Sequence, residues 1–510
     1  MAGNNQLLAT KPLDVLMAEM EGGERLHRAL GPWSLTALGI GAIIGTGIFV
    51  LVGEAAHDKA GPALVLSFVV AGLACVFAAL CYAEFAAMVP VAGSAYTYAY
   101  ATLGELMAWI IGWDLILEYA VASSAVASGW SKYFQDLLLS VGVPWPAVLG
   151  AAPVKYDDLG HFVSTGAILD LPAVIIAALV TTVLVIGIKE SANFNAVMVA
   201  VKLAVVAFVI VVGSFFVNPA NWTSVPPAVE GGTSFAPYGY GGLNFFGYGG
   251  AAVGVMAGAA LIFFAYLGFD AVSTQAEEAK NPKRDVPIGI IASLLICTLL
   301  YIAVAGILTG MVPYNELDKK APVSNAFAAV GMPWARTLVA VGALTGITSV
   351  LLVMMLGQPR IFLAMARDGL LPKSVFGAVH PRYKTPWIGT IVTGVVVASA
   401  GGLLPLGVLA DMTNIGTLFA FVVVCSAVLV MRRTNPTANR PFKVPFYPLT
   451  PILGIVLCLL LMFSLKPENW IRLVGWLGIG LLVYFSFGYW NSKLRKGTTP
   501  PAPTTGGTSA

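Results

Sequence analysis

Several charged side chains stand where an apolar helix would offer them no water: Lys202, Glu118, Asp114 and Asp270. A charge at the centre of a bilayer costs about 2.5–3.5 kcal/mol on insertion scales, so each is read first as a functional residue. Lys202 lies about eight residues into the apolar run that begins near Phe194, roughly 12 Å deep. From there its ammonium either snorkels to the surface along its own stem or turns inward. The inward position lies beneath the first apolar helix, with the carbonyls near Gly41 and Ala42 and the hydroxyl of Ser349 as partners, and there the amine is a candidate proton carrier. Glu118 is mid-way along the third run, with Asp114 one turn away on a similar face. It either joins a proton path with Lys202 and meets a bound amine through water, or it makes a structural bond to another helix. Asp270 and Glu277 in the sixth run and Glu84 near the end of the second are expected to pair with loop Arg and Lys residues as an inner gate. Asp411 reads as the N-cap of the tenth run.

The elements that must position these groups carry a second signal. The first run reads Gly-Ile-Gly-Ala-Ile-Ile-Gly-Thr-Gly-Ile-Phe (39–49), and the sixth reads Phe-Phe-Ala-Tyr-Leu-Gly-Phe-Asp (263–270). Glycine inside a helix costs about 1 kcal/mol relative to alanine, and loose backbone in hydrocarbon is tolerated only where it is buried or lines a cavity. An unwound stretch exposes N–H groups at the start of one half-helix, which attract a carboxylate, and carbonyls at the end of the other, which attract an ammonium. The donors expected here are Gly45, Thr46 and Gly47, just after Ile43. The expected acceptors are the carbonyls of Phe264, Ala265 and Leu267, with Phe269 beside the break as an aromatic gate. A site offering both ends suits a zwitterion, and the free amino acid is the commonest one. The competing explanation is small-residue helix packing, which accounts for one break more readily than for two in matching places.

Composition fixes the class. The chain has 510 residues, 58% hydrophobic and 10% charged, with a mean hydropathy of +0.84. Soluble domains carry about 25% charged residues, so this is a polytopic membrane protein. A net charge of +3 spread over short loops excludes a nucleic-acid binder. The five cysteines show no CxxC spacing and the four histidines are scattered, so neither a disulfide frame nor a metal site is expected. No Walker loop, GxSxG or HExxH is present, so no cofactor, nucleotide-driven pump or enzyme is expected. The mostly polar stretch ahead of the first run does not read as a cleavable signal peptide.

Apolar runs of sufficient length number about twelve, with the third near 104–128 and the eighth near 334–357. Roughly nineteen positive residues fall on the side of the termini against about eight opposite, which predicts cytoplasmic N- and C-termini. Residues 12–30, with Leu13, Leu16, Met17 and Met20 at helical spacing, suggest a short interfacial helix. The loops 131–168 and 218–245 read as lids over the entrance, and the Thr/Pro/Gly-rich tail as disordered.

The 39–49 string resembles the first-helix motif of the amino acid–polyamine–organocation superfamily. Gly268-Phe269-Asp270, the 277–287 stretch, Pro359-Arg360 with residues 364–372, and the Glu84–Tyr98 stretch are similar to its cationic amino acid transporter branch. The resemblance covers nearly the whole chain. It implies an all-α integral membrane protein of about twelve transmembrane helices, built as a five-plus-five inverted repeat with two C-terminal helices, in a shorter bacterial relative. The organisation it implies is a cytoplasmic segment 1–33, first repeat 34–217, extracellular loop 218–249, second repeat 250–431, two helices over 432–492 and a cytoplasmic tail 493–510. It further implies secondary active transport by alternating access in a bacterial inner membrane, without enzymatic chemistry. Sodium-coupled relatives hold a metal ion where Lys202 falls, whereas proton-coupled ones resemble this chain in having a lysine, so a proton and no sodium is expected, with Glu118 and Ser349 as companions. Exchange of one amino acid or amine for another is the alternative. The branch's cationic carriers have a serine where Met354 stands. A thioether there shortens the pocket and favours small or medium neutral amino acids such as alanine over cationic ones. The expected partners are a free amino acid and membrane lipids, with room for a small single-span accessory subunit that no feature demands.

Overall fold

The computed structural model describes residues 6–12, 30–89, 94–156, 162–187, 192–243 and 253–496. Most of the expected interfacial helix, all of the 497–510 tail and the side chain of Glu277 lie outside the described residues. Twelve apolar helical spans run through the rest. The first is split into Pro32–Ile43 and a continuation over 47–60, and the second is Leu64–Met88. The third to fifth are Glu105–Ser140, Leu171–Ile186 and Ala192–Ser214. The sixth is Val255–Ile262 continued by tighter turns to Glu278, and the seventh is Pro282–Met311. Spans eight to twelve are Pro333–Arg367, Trp387–Leu403, Leu406–Thr434, Leu449–Ser464 and Pro467–Asn491. A helix rises 1.5 Å per residue, so the 36-residue third and 35-residue eighth spans are each more than 50 Å long.

The sequence placed a loop from residue 131, yet span 3 continues to Ser140. Its last turns are held by side chains. The Tyr133 hydroxyl donates to the Phe49 carbonyl at 2.7 Å, and Asp136 accepts from Arg336 at 2.5 Å and from Ser324 at 2.7 Å. Asp411 is no N-cap; span 10 starts at Leu406 after Pro405, and Asp411 falls in its second turn.

Packing partners come in matched sets. Span 2 lies along span 7, span 3 along span 8 and span 4 along span 9, each helix against the one five places on. Span 5 packs on span 8, and span 10 packs on span 3 in the corresponding way. The two interrupted spans meet in the middle, where the outer part of span 1 touches the tight turn of span 6.

One face of the bundle gathers both ends of the described chain. Lys11 Nζ bonds Asp368 at 2.8 Å after span 8, and the Lys493 N–H donates to the carbonyl of the same Asp368 at 3.0 Å. Close by, Leu30 and Ala279 form a parallel bridge: the Leu30 N–H donates to Glu278 O at 3.0 Å and the Lys280 N–H to Leu30 O at 2.8 Å. The opposite face carries a two-stranded hairpin, Val154–Tyr156 with Phe162–Ser164, and a short helix, Pro322–Ala329, resting on span 1.

Candidate functional site

The break in span 1 is a change of backbone direction. The helix ends at Ile43, Ile44 is extended (ψ 103°), and helical turns resume at Gly47. The new start leaves N–H groups without intrahelical partners. In span 6 a tight turn over Phe263–Tyr266 gives way to extended Leu267 and then Gly268, whose φ of +108° is left-handed backbone that suits glycine. A Cβ on Gly47 would land on the backbone of Ala265, so this glycine lets the two breaks touch.

Between them lies a small cavity of about 10 Å³, room for roughly one water. Ile43, Gly45, Thr46, Gly47, Phe264, Leu267 and Met354 line it, as expected from the sequence. Ala42, Ala122, Val126 and Val350 line it too, and the sequence gave no sign of them: an apolar residue in an apolar span has no contrast. Ala265 packs against Gly47 without lining the cavity, and its carbonyl accepts from Tyr301. Phe269 is not among the residues that line the cavity; it is fully buried between Tyr82 and Phe421, at ring distances of 5.9 and 5.2 Å.

Freed carbonyls find donors on neighbouring spans, as hydrocarbon demands. The Tyr301 hydroxyl in span 7 lies 2.9 Å from Ile43 O and 3.0 Å from Ala265 O, tying one break to the other. Asn414 Nδ2 in span 10 donates to Ala260 O at 2.9 Å and Leu261 O at 3.1 Å. Both were legible as polar residues in apolar runs, and the sequence reading passed over them. Tyr301→Phe should therefore lower uptake roughly fivefold while the protein stays folded, since one lost hydrogen bond is worth about 1 kcal/mol. Uptake alongside a melting curve checks this.

Lys202 turns inward and is fully buried. Its ammonium donates to Gly41 O at 2.7 Å, Ile44 O at 3.0 Å and Ser349 Oγ at 2.6 Å, with Gly346 O at 3.4 Å. The expected carbonyl of Ala42 is replaced by that of Ile44. The amine thus sits under the break, joining spans 1, 5 and 8.

The pattern along the chain has known counterparts. An amino acid permease family model matches residues 30–482. The chain belongs to the amino acid permease family. Two Bacillus subtilis proteins are similar over nearly their whole length. A methylthioribose transporter is 46% identical, with 96% of this chain and 100% of the relative covered. The branched-chain amino acid permease BcaP is 47% identical, with 95% and 98% covered. A vacuolar cationic amino acid transporter 4 of Arabidopsis thaliana is 38% identical over 85% of this chain and 68% of its own. The relatives are named as transporters and permeases, and this chain is a membrane transporter rather than an enzyme.

In this permease the carboxylates expected at an inner gate divide. Glu84 is a gate-like pair: Arg432 holds it through two bonds, Arg440 lies at 3.4 Å and the Val444 N–H donates at 2.7 Å. Glu278, next to the expected Glu277, pairs with Arg360 at 3.6 Å. Asp270 departs from the expectation, because among the described residues it makes no ion pair with a loop cation. It is buried and accepts from the Tyr119 hydroxyl at 2.6 Å. Glu118 shares that interior beside Asp270 and Asp114, its carboxyl facing that of Asp270, and among the described residues no N–H or hydroxyl donates to its oxygens. Spans 3 and 6 thus meet through acids and a phenol rather than an ion pair.

Proposed function

We infer that this permease carries neutral aliphatic L-amino acids into the cell together with a proton, by alternating access. The observation that carries the reading is the cavity between the two breaks. Helix-start N–H groups of span 1 suit a carboxylate, and carbonyls around Phe264 and Leu267 suit an ammonium. Its remaining wall (Val126, Val350, Met354) offers a side chain only apolar contact, which disfavours a guanidinium or an ammonium tail. At about 10 Å³ the cavity is closed around nothing larger than water, so binding requires the walls to part. The branched-chain relative agrees with an aliphatic substrate. Met354 in the wall supports a preference at the small end, alanine first.

Lys202 supports coupling to a proton rather than to sodium, because its fixed ammonium fills the position under the break with carbonyls and Ser349 around it. Glu118 is the second candidate carrier. The matched packing of spans 1–5 and 6–10 supports reading 34–217 and 250–431 as the two repeats. The excess of positive residues on the face of the termini supports a cytoplasmic placement of that face, in a bacterial inner membrane.

The test is uptake of radiolabelled alanine, leucine and arginine into proteoliposomes, with and without an inward proton gradient. Gradient-driven accumulation of alanine or leucine is expected. Competition by methylthioribose and not by any amino acid would replace the substrate, since one relative is named for that solute. Counterflow without pH dependence would replace symport by exchange. Met354→Ser should widen the cavity, so that arginine or lysine competes for alanine uptake roughly tenfold better, about 1.4 kcal/mol. An unchanged competition profile would remove Met354 as the specificity determinant.

A further inference from the structure

Outward of the closed cavity, on the face opposite the termini, lies a second and much larger space of about 1490 Å³. Ser128 and Leu261 form its floor, about a turn beyond Val126 and Phe264 of the inner cavity. Fifteen of its lining residues are charged, seven acidic and eight basic, in a chain with only 10% charged residues overall. Such a wall has no net sign with which to draw in a simple anion or cation.

Several of these charges are already satisfied. Asp136 has Arg336 at 2.5 Å, and Asp58 has Lys319 at 2.7 Å. Asp170 accepts from Ser131 at 2.5 Å, and Asp318 accepts from the Lys320 and Ala321 N–H groups at 2.8 and 2.6 Å. Glu54 and Lys132 are different. They stand on spans 1 and 3, each about two helical turns outward of the inner cavity, and both line this space, where the Glu54 carboxylate is the nearby charge that acts most strongly on Lys132. Among the described residues neither makes a hydrogen bond or an ion pair. Inward of Glu54 the two spans are tied together by the Tyr133 hydroxyl on Phe49 O and by Thr46 against Gly129.

We propose that Glu54 and Lys132 form an outer station that holds a zwitterionic amino acid before it enters the inner cavity. The ammonium meets the Glu54 carboxylate and the carboxylate meets the Lys132 ammonium. A molecule with both charges on one carbon satisfies the two at once. A single ion is repelled by one of them, and a neutral sugar gains nothing. The space is larger than a closely fitting ligand site of about 300–1,000 Å³, so the side chain remains in water and the station does not select among neutral amino acids. This rests on the reading of the protein as an amino acid carrier.

Two measurements separate the station from that reading. In proteoliposomes, Glu54→Gln and Lys132→Gln should each raise the KM for L-alanine about tenfold and leave kcat within about twofold. The swap Glu54→Lys with Lys132→Glu should restore most of the loss. Separately, Gly47→Val, which obstructs the inner cavity, should abolish uptake yet retain weak binding of L-alanine seen by saturation-transfer NMR. That signal should vanish on adding Lys132→Gln. Variants that lower kcat at constant KM would overturn the station and make the two residues a pair that forms on closure. Unchanged kinetics, or no binding to Gly47→Val that still runs monodisperse, would overturn it as well. Binding at the station with no uptake by the unaltered protein would instead sink the transport reading and leave the station standing.

Discussion

Lys202→Ala should abolish proton-driven accumulation of substrate, a loss of at least about 100-fold, while substrate binding changes by less than about tenfold. The amine is the one cation bonded under the break among the described residues, and its acceptors come from spans 1 and 8 while its stem comes from span 5. Removing it takes away both the proposed proton carrier and the tie that holds the end of the Pro32–Ile43 helix. Carbonyls left unbonded in a buried place cost about 1–3 kcal/mol each, so a fall in melting temperature accompanies the loss. Lys202→Met separates the two effects, because it fills the space of the stem without the charge. Uptake under an inward proton gradient, read beside equilibrium exchange in the same liposomes, is the check. Accumulation equal to that of the unaltered protein would remove Lys202 from the coupling.

The second large effect belongs to Gly47→Val, which should abolish uptake and drop affinity at the inner cavity at least about 100-fold. Here the neighbour is main chain. The added atoms fall on the Cα and N of Ala265, and neither can rotate away. The two breaks must then separate, which spoils the shared position for a carboxylate and an ammonium. Gly45→Ala is the informative comparison. Its Cβ would come within 2.7 Å of a Val350 methyl, a side chain that can shift with its helix, so a milder loss is expected. Equal losses in both variants would mean that simple crowding, rather than the contact between breaks, sets the effect.

The breaks themselves were legible, because the glycine cluster of the first run and Gly268 of the sixth fall at matching places, which helix packing alone explains poorly. Lys202 was legible for the same reason, as a charge without water. Asp270 and Phe269 were misjudged for a geometric reason. A regular helix makes one turn in 3.6 residues, but here Leu267 is extended, Gly268 is left-handed and the chain from Asp270 to Glu278 winds at about three. The tighter turn brings Asp270 inward to Tyr119 instead of out to the loop cations, while Phe269, just before it, packs on Tyr82 and Phe421. Val126, Val350 and Ala122 were invisible because only tertiary packing tells one valine or alanine in a span from the next. The outer end of span 3 was hidden in its polar residues, which look like a loop until Arg336 and Phe49 O are brought opposite them.

The bridge between Leu30 and Ala279 has a consequence for how the protein moves. It is made wholly of main chain, at the rim where the inner halves of spans 1 and 6 both end. Those two half-helices are therefore yoked, and tilting one drags the other along whatever side chains they carry. Proline at position 30 or 280, with its missing N–H, would unfasten the yoke.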